Sequence, residues 1–219
     1  MNEHKKWHAR VVARDMVQTL TDKGYDAHYA EELGQARELL LSMIPSGASV
    51  ALGGSETLAE MDLMEHFRKG EYAFFDRYQP IPFEETVEIY RQSLLADFFI
   101  TGTNAVTRNG ELVNVDSTGN RVAAMIFGPK RVIVITGTNK VVNDIAAAFR
   151  RIKQIAPINA KRVGHKTPCA VTGKCVNSES VGCACGIASS ICNSVGIVSS
   201  GLKFPGRISV IMVAEETGF

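Results

Sequence analysis

Apolar runs too short for helices alternate with amphipathic stretches through most of this chain, and few folds accept that alternation. Trp7, Val11, Val12, Met16 and Leu20 recur at helical spacing, and Gly24 stands where a helix would stop. Residues 25–30 read as a strand, then 31–44 as a helix with Leu33, Leu39, Leu40 and Met43 as its core stripe. The pattern continues with a strand over 49–52, a helix to about Phe67, a strand over 72–75 and a helix over 83–95. Further strands fall at 97–101, 131–136 and 207–213, with helices over 118–127 and 141–155, the latter helped to its end by Pro157. Such repetition predicts an α/β fold: a mostly parallel Rossmann-like sheet with helices on both faces. The runs at 97–101 and 131–136 lack apolar/polar alternation, so both should be buried on both faces. Asn109-Gly110 marks one β-hairpin within 106–115.

From 161 to 205 the pattern changes, as Gly, Ser and Cys accumulate. A strand returns afterwards, so this stretch reads as a cysteine-rich C-terminal excursion within a single domain spanning 1–219. Lys+Arg number 24 and Asp+Glu 23, a balance that argues against a nucleic-acid partner. No apolar run approaches the roughly 20 residues of a membrane span. The charged start, Met1 to Lys6, leads into no apolar signal segment, so the cytoplasm is the expected location.

In an open parallel sheet, ligands collect beyond the carboxyl ends of the strands. Four loops rich in Gly, Ser, Thr and Asn are candidates for such places, at the ends of one sheet. In the first, Gly53 and Gly54 allow close backbone approach to an anion while Ser55 and Thr57 offer hydroxyls. The alternative is a tight turn with Ser55 as N-cap and Glu56 favourable to the helix dipole. The second carries Thr103 and Asn104, which either bind a polar ligand or form a turn. The third brings Asn114, Asp116, Gly119, Asn120 and Arg121. Arg121 could hold a carboxylate or phosphate, and Asp116 could act as a general base. Alternatively Asp116 caps the following helix and Arg121 pairs with an acid. The fourth offers Gly137, Asn139 and Lys140, with Lys140 either neutralising an anion or solvated. Together the four predict a site for a small anionic metabolite.

All five cysteines, Cys169, Cys175, Cys183, Cys185 and Cys192, lie in the excursion. Thiolates suit an iron–sulfur cluster or zinc, with His165 as an extra ligand, yet no C-x2-C pair is present. Unligated thiols are the alternative.

The segments ALGGSETLAEMDL (51–63), ADFFITGTNAVT (96–107), GELVNVDSTGNRVAA (110–124), PKRVIVITGTNK (129–140) and GRISVIMVAEETGF (206–219) resemble the lactate-utilisation (LUD) family. The resemblance implies a fold like that of ribose-phosphate isomerases and CoA transferases. It also implies a part in converting lactate to pyruvate beside iron–sulfur partner proteins. Cysteine-bearing members show a motif like TPCxxTGxCxDCxSxxRIC. Thr167-Pro-Cys169, Thr172-Gly-Lys-Cys175 and Ile191-Cys192 match its ends, whereas Ser178 stands where its third cysteine would be. The leading expectation is therefore a metabolite-binding protein or subunit of lactate or organic-acid oxidation. One alternative is an isomerase or acyl/CoA-transferase-like enzyme with Asp116, Glu111 or Glu56 as base or nucleophile. Another is an iron–sulfur or zinc module for electron transfer or sensing.

Overall fold

The computed structural model describes residues 2–177 and 185–219. Helix α1 (Glu3–Asp22) is capped by Asn2, whose Oδ1 accepts from the His4 amide. Then follow β1 (Asp26–Ala30), α2 (Leu33–Ser42), β2 (Ser49–Leu52), α3 (Glu56–Glu60), α4 (Leu63–Arg68) and β3 (Ala73–Phe75). Next are α5 (Phe83–Ser93), β4 (Phe98–Gly102), β5 (Ala105–Thr107), β6 (Leu112–Asp116), α6 (Asn120–Ile126) and β7 (Arg131–Gly137). The chain continues with β8 (Val141–Val142), α7 (Ile145–Arg162), α8 (Pro168–Thr172), β9 (Ser194–Val198) and β10 (Ile208–Val213).

Six strands in the order β1-β10-β7-β4-β2-β3 form a sheet in which every pairing is parallel. The central strands β4 and β7 are apolar on both faces, as their unbroken runs predict. Phe99, Val132 and Val134 point into one core, with Met16 and Leu20 of α1 and Met125 of α6. Phe98, Ile100, Ile133 and Ile135 point into the other, with Leu40 of α2, Leu58 of α3 and Phe67 of α4. Helices therefore cover both faces. A second, mixed sheet has the order β8-β5-β6-β9. Its strands alternate too: Ala105, Val113 and Val115 pack on Ala148 and Ile152 of α7, while Val106 and Leu112 join the α1 core.

The hairpin forms where Asn109-Gly110 placed it, in a longer turn than that pair suggests. The Gly110 amide donates to the Thr107 carbonyl, and of the two residues only Gly110 has positive φ, at 87°. A three-residue loop closed by a left-handed glycine replaces the two-residue turn. Other departures have physical causes. Trp7 is 62% exposed, since the buried face of α1 is Ala9, Val12, Ala13, Met16 and Leu20. The helix after Ser55 breaks into α3 and α4 at Asp62, whose φ of 51° is left-handed. Pro157 does not end α7, which runs on to Arg162. A proline inside a helix costs roughly 3 kcal/mol, and burial of Ile152, Ala156, Pro157 and Ala160 along the same helix offsets that cost. The excursion holds α8 and β9, and β9 pairs antiparallel with β6.

Candidate functional site

The strand order turns back on itself beside β2. From β2 the chain steps outward to β3, then returns to β4 on the other side of β2 and proceeds to β7 and β10. A crevice opens at the carboxyl ends at such a reversal. The loops after β2, β4 and β7 lie there as the sequence predicts. The loop of residues 117–121 does not follow a strand of that sheet, because β6 belongs to the second sheet. Its Arg121 side chain joins it to the others.

Gly53 and Gly54 do different things. A Cβ on Gly53 would sit 2.6 Å from Thr101 Oγ1, so the first glycine permits strand packing. A Cβ on Gly54 would meet nothing nearer than the Arg77 guanidinium at 3.8 Å, and Gly54 borders open space. Two adjacent spaces lie beyond it. The outer is a cavity of about 240 Å3, bordered by Arg77, Asp116, Asn120, Arg121, Arg162 and His165. The inner recess is about 40 Å3, bordered by Ser55, Glu56, Thr103, Asn104, Arg121 and Lys140. Gly54, Asn104 and Arg121 border both.

Arg121 is a strut. Its Nε donates to Asp116 Oδ1 at 2.9 Å, Nη1 to the Gly102 carbonyl and Asn114 Oδ1, and Nη2 to Asn104 Oδ1 and the Val115 carbonyl. Those bonds use all the N–H donors of a guanidinium. The other oxygen of Asp116 accepts from the Val122 amide at 2.7 Å and so caps α6. Asn114 and Asn104 complete the lattice, with Asn104 Oδ1 also accepting from the Val115 amide. Gly119 is the left-handed N-cap of α6, with φ of 82°.

Lys140 is different. After β7, Gly137 passes so close to the last segment that a Cβ would lie 2.5 Å from the Glu215 carbonyl. Asn139 then pins the turn, accepting from the Thr217 amide and donating to its carbonyl. The turn drives Lys140 inward, where it is 4% exposed and its Nζ donates to Thr57 Oγ1 at 2.8 Å. Burial, reinforced by the positive charges of Arg151 and Arg121 and opposed by Glu60, pushes its ammonium pKa down to about 7.

Three side chains that sequence reading missed complete the electrostatics. Arg151 of α7 donates to the carbonyls of Asn139 and Asn104 and to the backbone oxygen of Phe219, which also borders the inner recess. Arg77 lies 4.5 Å from the Tyr90 ring centre and donates to its hydroxyl at 2.8 Å. Arg162 approaches Glu56 at 3.6 Å. Among the described residues, Lys140 and Arg77 are not ion-paired, whereas Asp116 and Glu56 each face an arginine. Cationic side chains therefore outnumber carboxylate side chains along the crevice. A signal for Arg151 and Arg162 was present: with Ile152, Ile155 and Asn159 they recur at helical spacing on one stripe of α7.

The model of the LUD domain matches residues 13–213. This chain belongs to the LUD-domain family. A solved structure of a DUF162-family protein from Deinococcus radiodurans is similar over 94% of this LUD chain and 97% of its own, with TM-score 0.50. At 10% identity the likeness is one of fold. eIF2B delta from Chaetomium thermophilum aligns over 48% of this chain and 46% of its own, at 20% identity and TM-score 0.30, too weak a likeness to carry an argument. No curated protein matches this LUD chain. No helix among the described residues is long and apolar enough to cross a membrane.

Glu111 lies at the hairpin turn, bonded to Thr107 Oγ1. The cysteine segment of this LUD domain adjoins the outer cavity. Cys169, Cys175, Cys185 and Cys192 border one small space of about 20 Å3, while Cys183 and Ser178 lie outside the described residues. His165 faces the outer cavity, with Nδ1 3.0 Å from the Ser189 carbonyl oxygen. Among the described residues, no three His, Cys, Asp or Glu side chains are grouped to hold a metal ion.

Proposed function

We propose that this LUD-domain chain binds a small anionic metabolite at the strand-end crevice. In this reading it is a subunit or accessory of cytoplasmic lactate or organic-acid oxidation, working beside iron–sulfur partner proteins, and residues 1–219 act as one domain. The observation that carries the proposal is Lys140: a lysine buried to 4% exposure, bordering a recess, with no carboxylate partner among the described residues. A buried charge without a partner is costly, and an entering anion removes that cost. The field of Arg77, which borders the adjoining cavity, favours the same occupant. Calorimetry with phosphate, lactate and a CoA ester tests it. At least one should bind the wild-type chain, and Lys140→Met should weaken binding at least tenfold. Equal affinity in both chains would overturn the assignment.

An isomerase or acyl-transferase reading is favoured by Glu56, a carboxylate bordering the same recess as Lys140. Asp116 is a poorer candidate base, because Arg121 and the Val122 amide occupy both of its oxygens. Turnover of a sugar phosphate or CoA ester that is lost in Glu56→Gln but not in Glu111→Gln would favour this reading.

A further inference from the structure

Lys140 Nζ lies where a nucleophile would be useful as well as where a cation would. The recess it borders, about 40 Å3, has room for a carbonyl group by the measure in which one water needs about 10–15 Å3. It shares Gly54 and Asn104 with the lining of the larger cavity, which Arg77 and Arg162 border and where they can receive a charged end. We propose that the Lys140 amine forms an imine with a small aldehyde or ketone that carries a carboxylate or phosphate. The proposal rests on the anion-binding reading for the charged end of that compound, and adds a covalent step to it.

Three observations support the step. No carboxylate is ion-paired with Lys140 among the described residues, and its hydrogen-bond partner is a neutral hydroxyl. Thr57 Oγ1 accepts one N–H and fixes the direction of the nitrogen. Glu56 borders the same recess and can pass a proton to or from the adduct. Beside burial, the groups that set the amine's protonation are Arg151 on α7, Arg121 on α6 and Glu60 on α3, while Glu56 borders the same recess. Burial and the two arginines leave about half of the amine neutral near pH 7.

The chemistry balances without a further reagent. The nitrogen lone pair attacks the carbonyl carbon, a C–N bond forms, and the carbonyl oxygen takes a proton to give a carbinolamine. The carbinolamine then loses water as the nitrogen lone pair closes the C=N bond. Nothing is oxidised or reduced.

The whole chain is incubated with pyruvate or glyoxylate, treated with borohydride, and read by intact mass and peptide mapping. Borohydride delivers hydride to the imine carbon and leaves a stable secondary amine. The expected result is one adduct per chain, on Lys140, with a rate that reaches half its maximum near pH 7. Lys140→Arg, which keeps a positive charge but has no nucleophilic amine, should lose the adduct. An oxo acid that binds in calorimetry but leaves no adduct overturns this inference and leaves the anion site standing. So does labelling spread over surface lysines such as Lys130, whose side chain is 77% exposed. Absence of binding by any anion would overturn both.

Discussion

Replacing Lys140 with methionine should stabilise the chain, and do so most at low pH. The wild-type ammonium pKa falls from 10.5 to about 7 on folding. At about 1.4 kcal/mol per pH unit, that shift corresponds to roughly 4–5 kcal/mol held against the charged form. Below pH 7 both the folded and the unfolded chain carry the proton, so the folded state bears the full cost. Between about 7 and 10.5 the unfolded chain binds a proton that the folded chain does not, and wild-type stability rises with pH across that window. Methionine has similar length and no charge. It forfeits the hydrogen bond to Thr57, worth about 1–2 kcal/mol. The net gain near pH 6 is therefore about 2–4 kcal/mol, shrinking through neutrality and reversing above about pH 9. Urea unfolding of both chains at several pH values measures it. A stability difference that does not change with pH would refute the argument, because other titrating groups are common to both chains. Added phosphate should narrow the gap by stabilising the wild type alone.

Arg121→Ala should cost about 3–5 kcal/mol in urea unfolding, since it strands the Asp116 carboxylate in a buried position. Adding Asp116→Asn should recover part of that loss, which a purely steric role for Arg121 would not allow. Gly53→Ala should destabilise by about 1–3 kcal/mol through its clash with Thr101. Gly54→Val, which meets open space, should leave the melting temperature nearly unchanged and reduce anion affinity in calorimetry. In timed alkylation, Cys169, buried and 3.1 Å from Thr167 Oγ1, should react more slowly than the half-buried Cys175 and Cys185.

The main sheet was legible because its signals are local. The uninterrupted runs at β4 and β7 require burial on two faces, and Asn109-Gly110 requires a turn near that pair. The site was legible as loops but not as roles. Spacing shows that Arg121 stands five residues beyond Asp116, yet only the folded chain shows that its donors are all taken by Asp116, Asn114, Asn104 and two carbonyls. Lys140 and Arg121 look alike in the sequence, as cations in polar loops, and differ in burial partners that come from distant segments. Thr57 reaches Lys140 across a separation of 83 residues, and Arg151 reaches Phe219 across 68. Pro157 misled because a local rule was outweighed by the buried face of α7. The loop of 117–121 follows a strand of the second sheet, which the sequence does not reveal because apolar pattern marks a strand but not its neighbour.

The central claim is that Lys140 holds an anion in the strand-end recess. A crystal structure of the chain soaked with phosphate, lactate or pyruvate tests it most directly. The account predicts density for the anion inside the recess, within hydrogen-bonding distance of Lys140 Nζ and beside Gly54. An anion seated elsewhere, with the recess holding only water and Lys140 bonded to Thr57 alone, would contradict it.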